Sequence, residues 1–224
     1  MKSIIFSLKK SSRRKPIFVF PATVSDFKYF LKKYGVHTFF VVMLLTGLAF
    51  GTVYSSAAQQ GFLDSIDFLF LTNLEARLSQ NTIDTFCACF ASDFLFLLII
   101  FLLGLAPWGI PFLLFVVMFR GFGTGLTAGY LSAVHSVQGG FFYLSVILPG
   151  TFLFCMSLVN LSSNSFYISK QMLLHTISKK ETQNGLRKHI SQYVLACISS
   201  LITAFLSAVL DTVLWILFAG NFNF

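Results

Sequence analysis

APWGIPFLLFVVMFRGFGTGLTAGYLSA, residues 106–133, decides the fold. The run is long and apolar enough to cross a bilayer, which takes roughly 20 residues, and it carries Arg120 near its middle. An arginine at the bilayer centre is unfavourable by roughly 2.5–3.5 kcal/mol on insertion scales, so it must face protein or water rather than lipid. Gly121, Gly125 and Gly129 follow at four-residue steps. That spacing lays a smooth stripe along one helix face, where a second helix can approach closely.

Outward from this segment, the remaining composition agrees. Of the 224 residues 56% are hydrophobic and only 11% charged, with 29 phenylalanines. Soluble domains carry about 25% charged residues, so the chain reads as an all-α, polytopic integral membrane bundle. Spanning helices are expected at about 36–56, 85–105, 110–133, 141–161 and 193–219. The formal charge of +8 is confined to the flanks of these helices. Lys2, Lys9, Lys10, Arg13, Arg14, Lys15, Lys28, Lys32 and Lys33 precede the first helix, against the single acid Asp26. Lys170, Lys179, Lys180, Arg187 and Lys188 form the second block. Basic blocks beside spans set topology and touch anionic lipid, so membrane lipid is an expected partner and nucleic acid is not.

The same charges orient the chain. Residues 1–34 form a basic cytoplasmic tail, and residues 35–224 form the helical domain. The loop 57–84 holds Asp64, Asp67, Glu75 and Asp84 against Arg77 and belongs outside. The loop near His135 is also outside, and 162–192 is cytoplasmic. The N-terminus is then inside and the C-terminus outside. Within the outer loop, Phe62, Ile66, Leu69, Leu74 and Leu78 recur near helical spacing, which suits either an amphipathic surface helix or a connector packed on the bundle. A short interfacial helix is expected within 167–189, followed by a turn at Asn184-Gly185.

Three ionisable groups fall inside spans: Asp93, Arg120 and Asp211. Asp93 precedes Leu105 by 12 residues and Arg120 follows Ile110 by 10. At 1.5 Å per residue these are roughly 18 and 15 Å from the tight connection around Pro107. Matched depth predicts that Asp93 and Arg120 pair. Asp211 lies 18 residues past Tyr193, roughly 27 Å up, where it would cap an outer vestibule or meet water. Such a set suits either a structural pair that fixes helix register or a polar path for protons or substrate.

Packing is expected from the Gly121, Gly125 and Gly129 stripe, from Gly47 and Gly51 in helix one, and from Ala196, Ser200, Ala204 and Ala208 in helix five. Helices one, three and five would form the tight core. Pro149-Gly150 should kink helix four. GFGTGLTAG is not a phosphate loop, because that motif needs a preceding strand in a soluble βαβ unit. The four histidines are scattered, no zinc spacing or nucleophile elbow is visible, and no metal or cofactor is expected. Cys87, Cys89, Cys155 and Cys197 lie in apolar segments, which argues against disulfides.

FLKKYGVHTFFVVMLLTGLAFG (residues 30–51), FLLGLAPWGIPFLLFVVMFRGFGTGLTAGYL (residues 101–131), a proline in helix four and an acid in helix five together resemble the stage II sporulation protein M family. The resemblance implies a five-helix cell-membrane protein of endospore-forming bacteria. It would work with stage II sporulation proteins D and P, peptidoglycan-remodelling enzymes of the septum during engulfment, as their anchor or regulator and not as a hydrolase. The alternative from the residues alone is a transporter or permease subunit with an intramembrane polar path.

Overall fold

The computed structural model describes residues 24–55, 81–178 and 183–218. The proposed surface helix at 61–80 and most of the basic tail lie outside the described residues. Five helices result: α1 (Val24–Ser55), α2 (Thr82–Leu105), α3 (Gly109–Phe142), α4 (Leu148–Ser178) and α5 (Gln183–Phe218). Each contains a segment of at least 22 residues long and apolar enough to cross a membrane, and the chain is a multi-pass membrane protein. In lipid every backbone N–H and C=O must be paired within the segment, which is why apolar runs of this length become helices despite many β-branched and aromatic residues.

The connection between α2 and α3 is tight. Ala106 N–H donates to the Leu103 carbonyl (3.2 Å) and Gly109 N–H to the Ala106 carbonyl (3.0 Å). A side chain at Gly109 would run into the Leu103 backbone. Trp108, 80% exposed, stands at this turn, the placement expected of an aromatic residue at a membrane–water interface.

In place of the expected loop near His135 the backbone stays helical to Phe142, and the chain turns back tightly enough that a side chain at Gly140 would begin 3.8 Å from Ser132 Oγ. It is held by contacts across the hairpin: Leu131, Phe142, Tyr143, Val146, Ile147 and Trp215 form one apolar cluster, and Tyr143 Oη donates to the Thr124 carbonyl (3.3 Å). Between α3 and α4, Tyr143–Ile147 form a π-helical turn. Pro149 explains it. Its ring would strike the carbonyl of Ser145 and it has no N–H to donate. Widening the turn, with Leu148 N–H reaching the Tyr143 carbonyl, accommodates both.

Two further expectations at the other end are corrected. No separate interfacial helix follows helix four: α4 continues to Ser178, and α5 already includes Asn184-Gly185. Most of 162–192 is therefore helix rather than loop. The serines just past the expected end of helix four are inside the bundle. Ser163 Oγ donates back to the Val159 carbonyl (2.9 Å), and Ser165 Oγ shares a 2.7 Å bond with Tyr193 Oη. Such hydroxyls are satisfied by nearby carbonyls and do not need water.

Packing places α3 centrally. Half of its apolar window is buried (50%), against 22% for α1. α1 and α3 meet through their glycines. Side chains built on Gly47 and Gly51 would overlap the Met118 and Phe122 carbonyls, and those built on Gly121 and Gly125 would overlap the Leu44 and Leu48 carbonyls. Gly129 sits against Ser55 and Thr52. The backbones themselves touch, so dispersion and Cα–H···O contacts hold the pair. Helix five does not join this clasp as expected. α5 packs against α2 and α4, with Ser200, Ala204 and Ala208 buried. A stripe of small residues dictates close approach but not which neighbour approaches.

Gly125→Ala should therefore cost about 1–3 kcal/mol, the range for overpacking. Gly140→Ala, where the nearest atom to the added carbon is Ser132 Oγ at 3.8 Å, should be near neutral. Thermal unfolding of both variants in detergent measures the difference.

Candidate functional site: an intramembrane charge pair

Because α2 and α3 part from one tight turn, residues equally far from it lie at equal depth. Asp93 is 12 residues before Leu105 and Arg120 is 11 after Gly109, roughly 18 and 17 Å. The pairing expected from that count is present: Arg120 Nη2 stands 2.8 Å from Asp93 Oδ1, with the two side chains 8% and 6% exposed. Arg120 Nη1 also reaches Ser92 Oγ at 3.5 Å. Phe96 shares the α2 face toward α3 with Asp93 and Ser92, because residues three and four apart on a helix fall within one stripe.

Two rings complete the surroundings. The guanidinium carbon lies 5.1 Å from the Phe96 ring centroid and 4.7 Å from that of Phe154 on α4. Within about 6 Å of an aromatic face a cation is attracted by the ring quadrupole, more so when desolvated. Arg120 is thus held by charge, hydrogen bond and ring faces, with almost no exposure.

α5 reaches the pair through Ser207. Its hydroxyl donates to the Gly150 carbonyl on α4 (2.8 Å) and stands beside the Asp93 carboxylate. One proton faces two acceptors, and the short bond to Gly150 claims it. One helical turn further, Asp211 Oδ1 occupies the space that a side chain at position 150 would need. The sequence count separated Asp211 from the pair by depth alone. In the structure the contact of Ser207 with both Asp93 and Gly150 brings Asp211 to the neighbouring turn. A helix of 36 residues is roughly 54 Å long and must tilt or protrude from a hydrocarbon layer of about 30 Å.

Two contributors escaped sequence reading. Gly150 was seen only as part of a kink, whereas its missing side chain admits Asp211. Tyr193 was seen only as a helix start. Its hydroxyl, 3.2 and 3.0 Å from the Ile100 and Phe101 carbonyls, ties α5 to α2. Gly104 leaves room for it. The signal was present in both cases: a glycine or tyrosine on the apolar face of a span needs a local reason. No group of three or more metal-ligating side chains occurs among the described residues, and the four cysteines are free thiols.

With this geometry in place, the comparisons fit. The family described as Stage II sporulation protein M matches residues 36–214, which takes in all five spans up to Leu214. No curated protein and no solved structure matches the chain.

Breaking a buried ion pair by removing one partner typically costs about 3–5 kcal/mol, whereas replacing both with apolar groups is often neutral. Arg120→Met or Asp93→Asn alone should sharply lower folded protein in membranes. The double change Arg120→Met with Asp93→Leu should recover most of it. A double-mutant cycle on unfolding midpoints reads this coupling; additive losses would exclude it.

Proposed function

The chain belongs to the stage II sporulation protein M family, and from that premise we propose that it is a non-enzymatic membrane scaffold of sporulation. It anchors or regulates peptidoglycan-remodelling enzymes, the stage II sporulation proteins D and P, at the septum during engulfment. The observation that carries this reading is the enclosure of the charge pair by internal partners. Arg120 is spent on Asp93, Ser92, Phe96 and Phe154, side chains from the same bundle. That is the arrangement of a register lock. A scaffold needs rigid helices that present fixed flanks, and it needs no reacting group.

The charge distribution supplies the orientation of the proposal. The basic flanks, residues 1–34 and Lys170 to Lys188, stay in the cytoplasm, and the acidic loop 57–84 faces the compartment of the cell wall. Enzymes acting on peptidoglycan would meet the protein there.

A second reading rests on one feature. Gly150, Ser207 and Asp211 continue a polar line from the pair along α5, which is what an intramembrane path would use. The two readings differ in sensitivity. The scaffold fails when the 57–84 loop is exchanged and tolerates Asp211→Asn; a transporter shows the reverse.

Affinity purification of the tagged chain from sporulating cells should recover wall hydrolases, and exchange of 57–84 should abolish that recovery while membrane levels stay normal. Recovery of a nucleotide-binding transport subunit instead would replace the scaffold with the transport reading. Reporter fusions at the two ends should place them on opposite sides of the membrane.

A further inference from the structure

α4 carries an amide where lipid is expected. Ser169 Oγ donates to the Ala106 carbonyl (2.7 Å), so Ser169 marks the level at which α2 ends and the interfacial Trp108 stands. Asn160 is nine residues along α4 from Ser169, roughly 14 Å deeper. That is close to the midplane of a hydrocarbon layer of about 30 Å. Asn160 is nevertheless exposed on the bundle surface. Among the described residues its carboxamide makes no hydrogen bond; only its backbone carbonyl is used, accepting from Asn164 Nδ2 (3.0 Å). A carboxamide in hydrocarbon without partners is costly. The side chain is also too short to reach water from that depth, unlike lysine or arginine.

The residues around it form one face. Met156, Tyr167 and Leu174 are 61%, 47% and 52% exposed. With Asn160 they fall within about a sixth of the helix circumference at 100° per residue. The face is long, apolar at both ends and polar at its centre, which is the pattern of a helix–helix contact in lipid.

We infer that this face of α4 is the interface of a symmetric dimer of the chain, closed by reciprocal hydrogen bonds between the two Asn160 carboxamides. Three arguments select a second copy as the occupant. A carboxamide is both donor and acceptor, so two of them satisfy each other. Two copies inserted in the same sense, related by a two-fold axis along the membrane normal, bring their α4 helices together in parallel and place both Asn160 side chains at one depth automatically. A different partner would need a polar residue at that particular depth. Cyclic two-fold pairing is also the commonest oligomer symmetry, and it is self-complementary by construction. This inference does not depend on the scaffold reading.

The test uses the full chain in its own membrane, with Cys87, Cys89, Cys155 and Cys197 replaced by serine. Asn160→Cys and Met156→Cys should oxidise to covalent dimers with copper phenanthroline. Leu98→Cys, at an exposed position of α2 at similar depth, should not. In the otherwise native chain, Asn160→Leu should raise the dimer dissociation constant on the order of tenfold, measured by fluorescence energy transfer on dilution in lipid vesicles. Asn160→Gln, which keeps a carboxamide, should stay within about threefold of the native value. Cross-linking at 160 no greater than at 98, or a dissociation constant unmoved by Asn160→Leu, overturns the proposal. Cross-linking from 160 only to a different protein also overturns it and assigns the face to that protein's helix.

Discussion

An arginine in the middle of a membrane helix cannot be left to lipid, and the rest of this fold is arranged around that requirement. Arg120 reaches Asp93 at 2.8 Å only because the Ala106–Trp108 turn is short enough to start α2 and α3 from one level. A longer connection would let the helices slide, and each slip of one residue moves a side chain by about 1.5 Å and 100°. The ion pair therefore fixes both depth and rotation of two helices. Phe154 against the guanidinium and Ser207 beside Asp93 extend the same constraint to α4 and α5. α1 is tied in separately, through glycine contacts with α3 that carry no charge at all.

Lipid supplies no hydrogen bonds, so each departure from ideal helix needs an internal answer. Pro149 removes a donor, and a π-helical turn supplies the altered pattern. Thr151 Oγ1 stands 3.0 Å from both the Ile147 and Leu148 carbonyls, just past the proline. Tyr193 meets the Ile100 and Phe101 carbonyls near the end of α2, and Ser169 meets the Ala106 carbonyl just past it. These polar side chains occur where the backbone is irregular or a helix ends, and that placement distinguishes them from Asn160, whose carboxamide answers no backbone group among the described residues.

Much of this was legible in the sequence because hydrocarbon imposes length and pairing rules that leave few choices. Five apolar runs gave five helices, and counting residues from Pro107 matched Asp93 with Arg120. Glycine spacing named the α1–α3 contact, because four-residue steps on both Gly47–Gly51 and Gly121–Gly129 admit backbone against backbone. The reading was blind where several solutions satisfy one pattern. Ala196, Ser200, Ala204 and Ala208 specify a close neighbour, and α2 and α4 proved to be the neighbours rather than α3. Helix four was expected to end near 161, and hydropathy does not distinguish the hydroxyls that follow, bonded to buried carbonyls, from hydroxyls in water.

The balance between the lock and the path turns on what a moving site requires. Carrying an ion or a proton needs a group whose partners change during the cycle, and each alternative partner must be near at little cost. The guanidinium of Arg120 is bracketed by two rings on different helices and anchored at both terminal nitrogens. Releasing it would expose a charge to a surround of Phe96 and Phe154, both buried apolar side chains. No compensating gain follows from leaving Asp93, because Ser207 already gives its proton to the Gly150 carbonyl. Asp211 sits a turn away, against glycine backbone, on the opposite side of that serine. The cluster is thus polar enough to specify one assembly of α2, α3, α4 and α5, and tight enough that specification is the work its geometry performs best.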